Sequence, residues 1–178
     1  MSFSQTELAD FAANLFVNYD EGFEGDTPLT DEIIARVEEE LGYSLPIDYI
    51  ALMRLKNGGS LKRYFFRYTD TDGYECELMV RGIYGIGFTN NNALCGKMGS
   101  RFLEDPKNHA LPHIGVYFAE EDSGHGFFAL DYRNINADGE PPVINIYLDN
   151  FHEEYIADSF AAFIRRLTAD EKAGRISS

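Results

Sequence analysis

Two histidines have a spacing that can hold a metal ion. His109 and His113 are separated by four positions, which would place both rings on one face of a helix as metal ligands. Pro112 lies between them, and an internal proline removes a helical hydrogen bond and clashes with the preceding turn. No third ligand follows at a typical spacing. We therefore expect no metal site here, and no cofactor.

An acidic turn resembles part of a calcium-binding loop. Asp70, Asp72 and Gly73 have the start of the pattern, but Arg81 stands where the loop needs its last acidic ligand. We predict a hairpin turn instead. Cys76 shares the apolar face of the following strand with Tyr74, Leu78 and Val80 and is interpreted as a core residue, not a nucleophile.

Carboxylates and histidines later in the chain are candidates for acid–base chemistry. Glu120, Glu121 and Asp122 are adjacent, and paired carboxylates can serve as general acid and base. Three adjacent acids before Ser123-Gly124 are more typical of a solvated turn. A small hydrolase remains an alternative, and it requires that His125 or Asp131 faces a deep cleft with a strongly shifted pKa. No zinc-protease, serine-hydrolase, phosphate-loop or C-x-x-C motif occurs, so we expect no enzymatic activity.

The elements that must position these residues begin with the segment 29–59. Thr30 is a predicted N-cap, and apolar residues then repeat at helical spacing until Gly42, which suits a left-handed helix end. Pro46 is placed to start a second helix after a sharp corner. Asn57, Gly58 and Gly59 end that helix. The sequence thus predicts a helix pair.

The remaining pattern predicts two outer helices and a sheet. Ser4 and Glu7 have capping-box spacing at the start of a helix over 4–17, and a helix over 160–167 follows Asp158-Ser159. Predicted strands cover 64–68, 74–81, 111–118, 127–132 and 143–148, the last completing the sheet. The glycine-rich segment 82–88 predicts a bent strand or a close backbone contact. Segment 89–110 is expected to be irregular, with one short helix around Leu103.

The helix pair carries a recognisable motif, E-x-x-L-G-x-x-L-P-x-D-Y followed by N-G-G. Its residues are Glu38, Leu41, Gly42, Leu45, Pro46, Asp48, Tyr49, Asn57, Gly58 and Gly59. With this motif the chain resembles the SMI1/KNR4 family, also called the SUKH superfamily. Further similar features follow in family order: Leu111-Pro112, the 124–126 turn with Phe128, Leu130 and Asp131, Pro142-Val143, and Ala157 with Asp158, Ser159 and Phe160.

The resemblance spans about Leu29 to Leu167 and departs from the family in two respects. The N-terminal helix lies outside it, and the family's frequent tryptophans are absent, since this chain has none. With the element pattern it predicts an α+β single domain, SUKH-like, with a mainly antiparallel or mixed sheet and helices largely on one side. We expect an N-terminal helix and acidic loop over 1–28, the family domain over 29–168 and a tail over 169–178.

The charge of the chain bears on its partners. Thirty acids against 15 bases give a net charge of −15, and the first basic residue is Arg36. Such a surface repels nucleic acid and anionic membranes and speeds encounter with a cationic protein, although solubility alone would also explain it. No signal sequence and no apolar run of about 20 residues occurs, and two cysteines suit a reducing compartment, so we expect a cytoplasmic protein.

The resemblance implies a binding domain without catalysis, and many bacterial members look like immunity proteins that neutralise a toxin. We expect an antitoxin that covers a basic toxin domain such as a nuclease, and not a partner of nucleic acid or membrane. A housekeeping scaffold or regulatory module is the alternative. Expected contacts are exposed acids and aromatics: Tyr19, Asp20, Glu21, Glu24, Asp26, Tyr117, Glu120, Glu121 and Asp122. The oligomeric state does not follow from the sequence.

Overall fold

The computed structural model describes residues 1–18, 22–70 and 72–167. Within these ranges the chain forms five helices and seven strands. The helices are α1 (Gln5–Asn14), α2 (Asp31–Leu41), α3 (Ile47–Leu55), α4 (Ser100–Glu104) and α5 (Phe160–Arg166). The strands are β1 (Gly59–Ser60), β2 (Phe65–Thr69), β3 (Glu75–Ile83), β4 (Gly115–Glu121), β5 (Gly126–Asp131), β6 (Val143–Tyr147) and β7 (Glu153–Ala157).

All seven strands belong to one antiparallel sheet with the order β1-β3-β4-β5-β6-β7. Strand β2 also pairs with β3, at its first half, while β1 pairs with its last two residues. The predicted α+β class with an antiparallel sheet is therefore confirmed. The sequence interpretation missed β1 and β7, so β6 does not complete the sheet as predicted.

The sheet curls until its two free edges approach each other. Arg166 of α5 donates to the carbonyl oxygen of Ile156 in β7 at 2.8 Å and to that of Arg67 in β2 at 2.6 Å. Its guanidinium also lies 4.3 Å from the centre of the Phe66 ring. One side chain thus occupies backbone acceptors on both edges, which would otherwise be open to pairing with another chain.

The core lies between the concave face of this sheet and the helices. Phe163 of α5 contacts Phe66, Phe118 and Phe128 from three different strands, with ring centres 5.3 to 5.5 Å apart. On the other face, Phe102 of α4 and His109 pack toward Phe127. The middle strands β4, β5 and β6 are consequently buried almost throughout.

Local signals in the sequence set the helix ends. The capping box of Ser4 and Glu7 is present, Thr30 caps α2, and Gly42 ends it with a φ of 77°. Pro46 precedes the first residue of α3 as predicted. None of the helices in the described ranges combines the length and apolar character required to cross a bilayer.

Several predicted boundaries were wrong, including the end of the helix predicted over 4–17, which lies at Asn14, and both ends of β4. The strand predicted from Leu111 begins only at Gly115, and it continues to Glu121, so Glu120 and Glu121 are strand residues instead of a solvated turn. A bulge between Tyr117 and Ala119 shifts the alternation of β4 relative to β5, which conceals the true strand end from a simple pattern. The turn itself starts at Asp122.

Candidate functional site

Two shallow clefts meet on the exposed face of β3, and together we name them the Met79 groove. They have volumes of about 290 and 300 Å³ and share Met79 and Asp122. The remaining lining residues are Val17, Ser60, Leu61, Tyr64, Val80 and Arg81 in the first cleft, and Glu77, Leu78, Glu121 and Ser123 in the second.

The groove combines an apolar floor with an acidic rim. Met79 is 40% exposed although it is a large apolar residue, and Leu61 and Tyr64 continue the floor. Asp122 is exposed at the rim, and Glu77 accepts a hydrogen bond from Arg67 Nε at 2.8 Å. This chemistry suits a lysine or arginine side chain, whose stem is apolar and whose head is cationic.

The acidic N-terminal loop packs beside this groove. Phe23 is fully buried, and its ring stacks on Tyr84 with 5.9 Å between the ring centres. A side chain at Gly82 would lie only 2.9 Å from that ring. The Tyr84 hydroxyl in turn donates to Glu120 Oε2 at 3.1 Å. One residue, Tyr84, thus contacts Phe23 of the N-terminal acidic loop and Glu120 of the later acidic segment.

Glu120 is largely enclosed by these neighbours. Burial raises the pKa of its carboxyl, and the hydrogen bond from Tyr84 and the nearby Arg81 charge oppose that shift. Arg81 Nη1 lies 3.2 Å from Glu120 Oε1, and the Arg81 guanidinium is 5.7 Å from the centre of the Phe23 ring. Glu120 is thus a half-buried partner of Arg81, with 15% of its side chain exposed.

Glu121 lines the second cleft of the groove, but its side chain is largely buried. It is 6% exposed and accepts hydrogen bonds from Asn145 Nδ2 at 2.5 Å and from Ser123 Oγ at 2.8 Å. A Cβ at Gly126 would approach Glu121 Oε1 to 2.5 Å. These contacts fix the β4–β5 turn, and they leave Asp122 as the exposed acid of the predicted trio.

Other predicted contact residues also have internal roles. Tyr117 is fully buried, and its hydroxyl donates to the Pro112 carbonyl oxygen at 2.8 Å. Asp26 accepts from the backbone N–H groups of Phe88 and Thr89 at 3.1 and 3.0 Å. Burial would raise the pKa of Asp26, but these hydrogen bonds lower it overall. Tyr117 is therefore not accessible to a partner in this structure.

The rest of the predicted set divides between the groove region and residues that are not described. Glu24 Oε1 lies 3.8 Å from Lys56 Nζ, with 17% of the Glu24 side chain exposed. Tyr19, Asp20 and Glu21 lie outside the described residues, as does the predicted tail over 169–178.

Asn57 of the N-G-G motif joins three segments. Its Nδ2 donates to the carbonyl oxygens of Asp26 and Ile86, both at 2.9 Å, and its Oδ1 accepts from the Ile86 N–H at 2.7 Å. The backbones meet so closely that a Cβ at Gly85 would lie 2.0 Å from Gly25 N. The predicted close contact of segment 82–88 is confirmed.

Further motif residues stabilise the helix pair and its neighbours. Glu38 Oε1 accepts from the Leu45 N–H at 2.7 Å, which fixes the corner. Asp48 Oδ1 accepts from the Phe3 N–H at 2.8 Å. Tyr49 is fully buried and donates its hydroxyl proton to the Tyr84 carbonyl oxygen.

The C-terminal motif residues are structural as well. Asp131 is 2% exposed and binds Arg133 and Asn134 through both carboxylate oxygens. Although burial raises the pKa of Asp131, the hydrogen bonds from Arg133 and Asn134 lower it overall. Ser159 caps α5 by accepting from the Ala162 N–H at 3.2 Å. Each of these contacts gives a polar group a hydrogen-bond partner, and burial of that group without a partner would destabilise the fold.

The candidate chemical residues do not converge. His125 directly precedes β5, and Asp131 is its last residue. Because a strand extends by about 3.3 Å per residue, the two side chains lie far apart at opposite ends of the strand. His113 contacts the buried Glu104, with 3.0 Å between Nδ1 and Oε2, whereas His109 packs against Phe102 and Phe127. Among the described residues, no group of three or more His, Cys, Asp or Glu side chains is arranged to hold a metal ion.

Sequence reasoning missed Met79 and Arg81 as groove residues. Both lie on the polar side of the alternation in β3, which the pattern marked as solvent-facing. An apolar methionine on that side was the available signal, because an exposed large apolar residue beside acids is typical of a contact surface.

Comparison with known proteins supports the sequence motif. The model of the SMI1 / KNR4 family (SUKH-1) matches residues 28–166 of the chain, which agrees with the span expected from the motif residues. No curated protein is similar enough to count as a match.

Proposed function

Because the chain belongs to the SMI1/KNR4 family (SUKH-1), we propose that it is a non-catalytic protein-binding domain that acts as an immunity protein. Its partner is a bacterial toxin domain with a basic surface, such as a nuclease. The domain neutralises that toxin by covering the surface on which the toxin grips phosphates. The family match supports an immunity-protein-like domain, and the charge of the chain supports the choice of partner.

The observation that carries this proposal is that lysine and arginine side chains of the domain are paired with its own acids. In the described part of the chain, eight lysine or arginine side chains already form ion pairs with acids: Arg54, Lys56, Arg63, Arg67, Arg81, Arg101, Arg133 and Arg165. Acids outnumber bases by 30 to 15 over the whole chain. Much of the acidic excess thus has no cation of its own and is available to a basic partner.

The Met79 groove offers a basic partner a point of attachment on this acidic surface. Exposed apolar surface at Met79 can be buried by a partner side chain, and Asp122 can accept a hydrogen bond from its cationic head. Buried anchors of this kind hold a complex together, while charges around the rim mainly raise the association rate. The two contributions can be separated by experiment.

Co-expression tests the proposed function. The toxin candidate is the C-terminal domain encoded by the neighbouring reading frame, and the chain should restore growth when both are produced in one cell. Isothermal titration with a catalytically inactive toxin variant then measures the complex directly. A stable complex with a resident cellular protein, without protection from the toxin, would instead support a scaffold.

Groove variants test the point of attachment. Asp122→Asn should lower the association rate by about threefold at low salt and weaken its salt dependence. Met79→Ser should mainly raise the dissociation rate. Glu39→Gln, which neutralises an exposed acid on α2, is the matched control and should change the association rate less. Equal effects of Asp122→Asn and Glu39→Gln would remove the groove from the proposal.

A further inference from the structure

A second surface lies around the loop between β5 and β6, away from the Met79 groove. Two adjoining clefts there share Glu140, and we name them together the Glu140 cleft. The polar half, of about 470 Å³, is lined by Met1, Ser2, Asp48, Asp138, Glu140 and Ser159. The apolar half, of about 430 Å³, lies between this loop and the α2–α3 corner.

The polar half concentrates three carboxylates, and Arg165 lies beside it, where it donates to the carbonyl oxygens of Met1 and Ser2 and forms an ion pair with Glu7. No lysine or arginine of the described residues lines it. Asp48 is 6% exposed and uses Oδ1 for the Phe3 N–H, while no hydrogen bond to its Oδ2 occurs among the described residues. The carboxylates of Asp138 and Glu140 likewise form no ion pair within that part of the chain. Burial raises the pKa of Glu140, as does the charge of Asp48, against the opposing effect of the Met1 amino group.

The apolar half has a fixed floor and an exposed rim. Tyr43 and Tyr132 pack ring to ring with 4.6 Å between their centres, and the Tyr132 hydroxyl donates to the Ser44 carbonyl oxygen. Ile47 and Ile135, both lining this half, are 73% and 52% exposed. Exposed isoleucines above a rigid aromatic floor are typical of surface that a partner covers.

We propose that the Glu140 cleft binds a protein segment in which an arginine or lysine adjoins an apolar residue. The cationic head enters the polar half among Asp48, Asp138 and Glu140, and the apolar residue covers Ile47 and Ile135. Charge selects this occupant, since the carboxylates repel phosphates and anionic lipids. The inference does not require that the partner is a toxin, and it concerns a surface separate from the Met79 groove.

A peptide titration tests the cleft without any knowledge of the natural partner. The probe is acetyl-Gly-Leu-Arg-Gly-amide, and its counterpart carries neutral citrulline in place of arginine. Both are added to the ¹⁵N-labelled chain at low salt, and amide chemical shifts are followed. Arginine peptide should shift the amides of Ile47, Ile135, Gly139 and Glu140, and citrulline peptide should bind more weakly by about fivefold.

Variants test whether the polar and the apolar half of the Glu140 cleft each contribute to peptide binding. The double variant Asp138→Asn and Glu140→Gln should weaken binding of the arginine peptide by about fivefold, and Ile135→Ser should weaken both peptides. The matched control, Asp72→Asn with Glu75→Gln, removes the same charge at the β2–β3 turn and should leave binding within about twofold. All altered side chains are exposed or half-exposed, and thermal unfolding confirms that each variant folds.

Three results would overturn the proposal. If the citrulline peptide binds as tightly as the arginine peptide, the cationic head does not contribute to binding. Shifts spread evenly over all acidic surface, including Asp72 and Asp122, would indicate unspecific charge attraction. Sedimentation velocity showing self-association that Ile135→Ser abolishes would assign the cleft to a second copy of the chain. Failure of the toxin experiment alone leaves the peptide result standing, so the two proposals are tested independently.

Discussion

At the scale of single residues, Asn57 shows why a short motif predicts so much of this domain. One side chain satisfies two carbonyl oxygens and one N–H, which belong to the separate segments of Asp26 and Ile86. A side-chain amide offers two donors and an acceptor on one group, whereas a hydroxyl has a single donor. The N-G-G motif is therefore explained by structure: the asparagine joins the segments, and the glycines allow them to approach.

Asn57→Ala should lower the free energy of unfolding by about 3 kcal/mol, because the Ile86 N–H and the Asp26 carbonyl oxygen both lose the side chain that pairs with them. Urea denaturation followed by circular dichroism measures this loss. Asn108→Ala, at an exposed position, is the control and should stay within about 0.5 kcal/mol of the wild type. Similar stability of the two variants would show that water replaces the Asn57 contacts.

Gly85→Ala tests the close backbone contact by itself. Its methyl group would lie 2.0 Å from Gly25 N and 2.4 Å from the Asn57 carbonyl oxygen, so the segments must separate. We expect a loss of about 3 kcal/mol or more. Gly124→Ala meets no atom within 4 Å but has a φ of 72°, and should cost about 1 kcal/mol. Equal losses in urea denaturation would mean that backbone conformation, and not crowding, decides both.

At the scale of elements, local signals in the sequence were sufficient for the helices but not for the sheet edges. Caps and helical spacing act within a few residues, so the start of α1 and both ends of α2 and α3 were readable, whereas α1 ends at Asn14 and not at residue 17. Strand β7 begins Glu153-Glu154, a composition that disfavours a strand. Arg133, 20 positions away, holds Glu153 at 2.8 Å, and no local pattern reveals such a partner.

The candidate site was predictable to the same limited degree. The sequence identified the acidic segments, and the structure connects two of them through Tyr84, which stacks on Phe23 and bonds Glu120. The sequence did not identify which acids are enclosed. Glu120 contacts Tyr84 and Arg81, and Glu121 contacts Asn145, and these partners come from distant segments. Burial of a charge depends on tertiary partners, so exposed and internal acids look alike in a sequence.

Helix α1 gives a prediction about pH. Arg165 of α5 bonds Glu7 and, with the Ser4 hydrogen bonds, lowers the pKa of Glu7 from 4.5 to about 2. A carboxyl whose pKa is lower in the folded state stabilises the fold above its unfolded pKa. Glu7→Gln should therefore be less stable than the wild type at pH 7, and the gap should close as the pH falls from about 4.5 to about 2.

Urea denaturation at pH 7, 4 and 2.5 measures that gap. Glu39→Gln removes an exposed carboxylate from α2 without breaking an ion pair in the described part of the chain, and it should show no such closing gap. A difference between Glu7→Gln and the wild type that stays constant from pH 7 to pH 2.5 would exclude the Arg165 contact as its cause.

At the scale of the whole molecule, two electrostatic effects oppose each other. The net charge of −15 destabilises the compact state by self-repulsion, whereas the surface ion pairs stabilise it by about 0 to 1 kcal/mol each. Salt screens both. The sign of the salt effect therefore reveals which effect dominates, and the answer bears on function because unbalanced repulsion is what a basic partner would relieve.

We expect repulsion to dominate, since each ion pair of the described residues has at least one side chain that is half-exposed or exposed, and solvent weakens such pairs. Raising the salt concentration from 0.01 to 0.1 M shortens the Debye length from about 30 to about 10 Å, and should raise the free energy of unfolding in urea by on the order of 1 kcal/mol. Replacing Glu32, Glu39 and Asp72 by their amides should reduce that rise, because fewer charges then repel. A fall in stability with added salt would show that the ion pairs prevail, and that the acidic surface holds no repulsion for a partner to relieve.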